Sequence, residues 1–182
     1  MRILLLGGSK SGKSMTAQRL AHALADGAPM YYWATMEPTD DEDSARIERH
    51  RREREGWGFR TVERGRDLTA ALPSLDGRGT VLFDSVTACL AAEMFSTPQP
   101  DPRATEQTAR ELLTVSGAFA HFICVCDSVW SDGATYDEWT ECYRRGLALI
   151  CRALAQEFDA VAEITAGLSV LRKGRMPIEA LA

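Results

Sequence analysis

The stretch "LLLGGSKSGKSMT" (4–16) decides the fold. Its apolar beginning, "RILLL" (2–6), reads as a short buried strand. The "SMTAQRLAHALA" (14–25) that follows places Ala17, Leu20, Ala21 and Leu24 along one helical face. Between strand and helix stand Gly7, four residues, then Gly12, Lys13 and Ser14, the spacing of a phosphate-binding loop. Glycines let the backbone wrap closely enough to aim its N–H groups at phosphate oxygens, and the helix N-terminus adds a dipole favourable to anions. Gly7, Gly8, Ser9, Lys10, Ser11, Gly12, Lys13 and Ser14 are therefore expected to surround a nucleotide's phosphates. Lys13 reaches the β- and γ-phosphates in that arrangement, and the Ser14 hydroxyl joins the shell of a magnesium ion. The strand before the loop and the amphipathic helix after it favour this over a glycine-rich surface turn.

Working outward, further apolar runs alternate with helical stretches. "MYYWAT" (30–35), "TVLFDS" (80–85), "HFICVCDS" (121–128) and "AVAEIT" (160–165) read as strands, most of them buried on both faces. A helix is expected from 104 to 116, and another from 136 to 157 with Trp139, Tyr143, Leu147, Ile150 and Leu154 on its apolar face. "LDGRG" (75–79) is a turn, and the proline-rich "STPQPDPRA" (96–104) is a loop. Alternation of this kind predicts right-handed βαβ units, hence an α/β chain with a mostly parallel sheet flanked by helices. With 182 residues and no linker between large blocks, one domain spanning 1–182 is expected.

Composition narrows the class. Hydrophobic residues make up 45% and charged ones 26%, as in ordinary globular proteins. The net charge of −5 repels nucleic acid, and arginine outnumbers lysine, which occurs only as Lys10, Lys13 and Lys173. Five cysteines, with Cys124 and Cys126 inside an apolar run, read as buried reduced thiols rather than a metal cluster. "ILLL" is too short for a signal peptide and no segment is long enough to cross a bilayer, so a cytoplasmic location without membrane association is expected.

Two further places carry chemistry. Asp84 closes the strand "TVLFDS", where a P-loop enzyme holds magnesium, although an aspartate there also suits a helix cap. The segment "TDDEDSARIERHRRERE" (39–55) opens with a capping box, Thr39 to Glu42, and gathers its basic residues at the other end. Such a run is ordinarily a solvated helix. Here, however, Arg46, His50 and Arg54 fall at i, i+4 and i+8, a repulsive arrangement that bound phosphate relieves. Surrounding cations also keep an imidazole neutral and nucleophilic, so His50 is a candidate catalytic residue.

The series "GGSKSGKS", "YYWATM", "DDEDSARIERHRRER", "FRTVE", "VLFDSVT", "SDGATYDEW" and "AEITAGLSVLRKG" resembles the bifunctional adenosylcobinamide kinase / adenosylcobinamide-phosphate guanylyltransferase family of cobalamin biosynthesis. The resemblance covers the chain in order. It implies a RecA-like P-loop NTPase fold and two reactions at one locus, with Mg2+ as cofactor and ATP and GTP as co-substrates. In the first, ATP or GTP phosphorylates the hydroxyl of adenosylcobinamide. In the second, GMP passes from GTP to that phosphate through a guanylyl-histidine, giving adenosylcobinamide-GDP and pyrophosphate. The resemblance puts the histidine at His50 and the P-loop lysine at Lys13. It adds Ala34, Thr35, Met36, Arg51, Arg52, Glu53, Arg54, Glu63 and Asp84 to the nucleotide site, Ser14 and Asp84 to the metal, and a homo-oligomer, a trimer among relatives.

The chain departs from the family pattern at Asp127 and Ser128, where an Asn-Glu pair is common, at Asp84, where glutamate is common, and at Cys151. The first two stand near strand ends, where ligands bind, and bear on the acceptor and the kinase half. Two other functions stay open on the residues alone. One is a P-loop kinase of another small hydroxyl substrate, and the other a nucleotide-binding homologue without turnover.

Overall fold

The computed structural model describes residues 1–36, 48, 51–52, 54–130 and 133–177. One seven-stranded sheet organises them, built from β1 (Arg2–Gly7), β2 (Met30–Ala34), β3 (Phe59–Glu63), β4 (Thr80–Asp84), β5 (His121–Asp127), β6 (Ala160–Thr165) and β7 (Leu168–Lys173). The strands lie in the order β3-β2-β4-β5-β1-β6-β7, with every pair parallel except β6–β7. Among the described residues, connections are carried by α1 (Lys13–Ala25), α2 (Val86–Met94), α3 (Ala104–Gly117) and α4 (Glu138–Glu157), and Glu48, Arg51 and Arg52 are helical as well. A 3-10 segment, Leu68–Ser74, precedes β4.

The expected mostly parallel α/β sheet is present, and alternation along β1 explains its two layers. Ile3 and Leu5 face one side with Ala17, Leu20 and Ala21 of α1, together with Leu82, Ile123 and Ile164. Leu4 faces the other with Phe83, Phe122 and Leu90, Leu112, Leu147, Ile150 and Leu154 of α2 to α4. Trp33, Phe83, Phe122 and Phe158 are stacked through this second layer, with successive ring centroids 5.8–6.3 Å apart. β1, β4 and β5 are covered on both faces, which is why their sequences run almost unbroken in apolar residues.

Local chemistry sets the helix ends. Ser85 accepts a hydrogen bond from Ala88 N at 3.2 Å and starts α2. Asp137 accepts from Trp139 N and Thr140 N, so the last helix begins at Glu138 rather than at 136. Trp139, expected on its apolar face, is 39% exposed because it lies in the first turn, whereas Leu147, Ile150 and Leu154 further along are buried. β3, β7, α2 and the 3-10 segment have no counterpart in the strands and helices read from sequence. The β6–β7 hairpin turns through Ala166 and Gly167, whose φ values of 50° and 78° give the twist a two-residue turn needs. Among the described residues no helix is long and apolar enough to cross a membrane.

Candidate functional site

The parallel strands direct their C-terminal ends to one rim of the sheet, and the loop after β1 lies on it. Gly7 ends β1 where a Cβ would sit 2.3 Å from the Ile164 carbonyl oxygen, so only glycine allows β6 to pass this closely. Gly12 (φ 98°) starts α1, and its own Cβ would be 3.3 Å from Gly167 Cα. Gly167 N donates to Ser11 O at 2.9 Å. The hairpin turn thus braces the loop from outside, a contact between residues some 150 positions apart in the chain.

Lys13 is buried, 5% exposed, in the first turn of α1. Its Nζ donates to Gly8 O at 2.6 Å and pairs with Asp127 Oδ1 at 2.8 Å. Asp127 is the last residue of β5, in register with Gly7. Its N–H donates to Thr87 Oγ1 at 2.9 Å, and Ser128 N donates to Gly7 O at 3.0 Å. Thr87 is held in turn by Tyr143, whose hydroxyl donates to Thr87 O at 2.9 Å and whose phenol is pushed well up by burial. From sequence Asp127 counted only as a departure. Its place at a strand end was the signal that marked it.

Asp84 ends β4 nearby. Ser14 Oγ donates to its Oδ2 at 3.5 Å and Tyr32 OH at 2.8 Å. The helix cap is Ser85, which removes the capping explanation for Asp84. Thr35 Oγ1 accepts from Ser85 N and donates to Ser85 O, both at 2.8 Å, tying the end of β2 to the start of α2. Ala34 is the last residue of β2, and Met36 follows Thr35 on the same rim. A hydroxyl and a carboxylate suit Mg2+, a hard cation that takes oxygen ligands and fills its remaining positions with water and substrate phosphates. Among the described residues no group of three or more His, Cys, Asp or Glu is arranged for a metal.

His50 and Glu53 lie outside the described residues, as do Thr39, Glu42 and Arg46 of the expected charged helix. Their described neighbours reach the same rim. The Arg54 guanidinium sits 3.4 Å from the centroid of the Tyr32 ring. Arg51 Nη2 is 3.5 Å from Glu63 Oε1 at the end of β3, whereas Trp57 packs edge-on against His22 in the last turn of α1, away from the rim. Arg52, 75% exposed at its side chain, pairs with Glu48 four residues earlier at 3.2 Å. Tyr32 is the connecting residue that sequence reasoning missed, because inside "YYWATM" it looks like any strand aromatic.

The site thus joins a glycine loop at a helix N-terminus, a buried lysine and two strand-end carboxylates, on a mostly parallel sheet. Fold and site define a P-loop NTPase. Two solved structures agree on the fold. One is the flagellar accessory protein FlaH from Methanocaldococcus jannaschii (13% identical, covering 96% of this chain and 78% of that one, TM-score 0.51). The other is an ATPase domain (13% identical, covering 97% of this chain and 78% of that one, TM-score 0.53). The family model described as "CobU: Cobinamide kinase / cobinamide phosphate guanyltransferase" matches residues 3–171, and the chain belongs to this family of transferases. It is similar to the bifunctional adenosylcobalamin biosynthesis protein CobP of Pseudomonas aeruginosa, 31% identical over 96% of this chain and 98% of that protein. It is also similar to the corresponding CobU of Escherichia coli K12, 39% identical over 52% of this chain and about half of that protein's length (51%).

Proposed function

We propose that this chain phosphorylates adenosylcobinamide with ATP or GTP and then transfers GMP from GTP to the resulting phosphate through a guanylyl-His50 intermediate. Family membership supports the pair of activities. The observation that carries the histidine step is the stack of Arg54 on Tyr32, 3.4 Å, with the Tyr32 hydroxyl 2.8 Å from Asp84. Arg54 follows His50 by four residues in the sequence and itself stacks on a residue that also touches the candidate metal carboxylate.

In the phosphoryl step, backbone N–H groups of 7–14 and the Lys13 ammonium hold the triphosphate and neutralise charge on the leaving diphosphate. Ser14 and Asp84 would hold Mg2+, which would supply positive charge to the phosphates when bound. In the guanylyl step, an imidazole nitrogen of His50 bonds to the α-phosphorus as the bond to pyrophosphate breaks. The acceptor phosphate then displaces His50. Arg51, Arg52 and Arg54 surround the nucleotide, with Ala34, Thr35, Met36, Glu53 and Glu63 completing the site. The protein acts as a cytoplasmic homo-oligomer. The exposed Leu168, Val170 and Leu171 on the open edge strand β7 support assembly.

Incubation with GTP labelled at the α-phosphate tests the proposal. An acid-labile, alkali-stable protein label is expected, absent from His50→Ala. Lys13→Ala is expected to slow both steps by about 10²-fold or more, while His50→Ala keeps most phosphorylation of adenosylcobinamide. No label on the wild-type protein in the presence of magnesium, or equal loss of both steps in a folded His50→Ala, refutes it.

A further inference from the structure

Asp127 is the side chain whose partner must change when a nucleotide arrives. Its Oδ1 lies 2.8 Å from Lys13 Nζ, which is otherwise held by Gly8 O at 2.6 Å and lies 3.5 Å from Ser11 Oγ. A phosphate that binds the Lys13 ammonium competes with the Asp127 carboxylate for it. Asp127 cannot withdraw far, because its backbone N–H is fastened to Thr87 Oγ1 and its strand is in register with Gly7. Nor is it the counterpart of Asp84, which is occupied by Ser14 and Tyr32 on the neighbouring strand. The Lys13 side chain is 6% exposed and that of Asp127 25%, so the carboxylate is the more accessible member of the pair.

We propose that Asp127 is the proton acceptor for the hydroxyl that receives the phosphate. The inference rests on the kinase half of the function proposed above. In the nucleotide-free protein Asp127 neutralises Lys13. The triphosphate takes Lys13, and the released carboxylate faces the incoming hydroxyl. As the hydroxyl oxygen bonds to the γ-phosphorus, the bond from that phosphorus to the β-phosphate oxygen breaks. The hydroxyl proton passes to Asp127, and the nucleoside diphosphate leaves with the bond's electron pair. With Lys13 claimed by the phosphate, an Asp127 oxygen is left to accept the hydroxyl proton. Where relatives commonly carry an Asn-Glu pair, this chain has Asp127 followed by Ser128, so with no carboxylate at 128 Asp127 has a role that Asn alone cannot fill.

Asp127→Asn and Asp127→Glu, in the full chain, test this by single-turnover phosphorylation of adenosylcobinamide and by calorimetric binding of a non-hydrolysable ATP analogue with Mg2+. Asp127→Asn is expected to lose about 10²–10⁴-fold in the phosphorylation rate while binding the analogue as tightly as the wild type or more so, since no carboxylate competes for Lys13. Asp127→Glu restores a carboxylate and is expected to recover at least about tenfold of that loss. A wild-type rate in Asp127→Asn overturns the proposal. Affinity that falls in step with rate also overturns it, because Asp127 then only shapes the loop. Failure of the wild-type protein to phosphorylate adenosylcobinamide shows up before any variant is compared, and removes the parent function together with this role.

Discussion

Replacing Gly7 by alanine places a methyl carbon 2.3 Å from the Ile164 carbonyl oxygen and 2.9 Å from Ser11 Oγ. Ordinary carbon–oxygen contacts are about 3.3–3.6 Å, so the backbone of β6 or of the loop must give way by roughly 1 Å. Neither moves freely. Ile164 is paired with Ser169 in the hairpin, and the hairpin turn is bonded to Ser11. Overpacking of this kind costs about 1–3 kcal/mol, and backbone on both sides of the clash puts Gly7→Ala near the upper end. At about 2–4 °C per kcal/mol for a chain of this size, the melting temperature should fall by about 6–12 °C. Gly8 is the internal control, because a Cβ there meets nothing within 4 Å. Gly8→Ala should stay within about 0.5 kcal/mol of the parent in the absence of nucleotide. Thermal melts of the three nucleotide-free proteins, followed by circular dichroism, measure the difference. If Gly7→Ala melts within about 2 °C of Gly8→Ala, the hairpin does not press on the loop as described.

Two further outcomes concern parts of the fold away from the rim. His121 Nδ1 lies 3.1 Å from the Met1 amine, and burial, followed by that amine's charge, lowers the imidazole's pKa. Below about pH 6.5 the unfolded chain therefore binds more protons here than the folded one, so this contribution is complete above that pH and lost on acidification. His121→Gln should flatten the fall in melting temperature between about pH 7 and pH 5.5, and an unchanged slope contradicts this. Burial holds the Cys89 and Cys124 thiols well above their ordinary range, and a hydrogen bond with Cys126, then burial, does the same for Cys151. Alkylation of the native protein at about pH 8 should label the partly exposed Cys142 first. Equal labelling of Cys124 shows that the core opens.

How much was legible depended on how each residue is buried. β1, β4 and β5 could be read because both of their faces are covered, which demands apolar residues throughout. β3 and β7 could not, since they lie at the sheet's two edges and are largely exposed, leaving mixed sequences such as "FRTVE" and "LSVLRK". The glycine loop was legible for a local reason: phosphate binding by backbone N–H groups constrains eight consecutive residues, and the constraint is written in order.

The sequence by itself determined the α/β alternation, the phosphate loop and the candidacy of Asp84 and of His50, because each follows from neighbours within a few residues. Only the tertiary structure decided that Asp127 grips Lys13, that Tyr32 joins Arg54 to Asp84, and that a hairpin more than 150 residues away presses on Gly7 and Gly12. Those contacts depend on strand order and register, and the order β2-β4-β5-β1-β6 brings distant strand ends side by side without leaving any local periodicity to read.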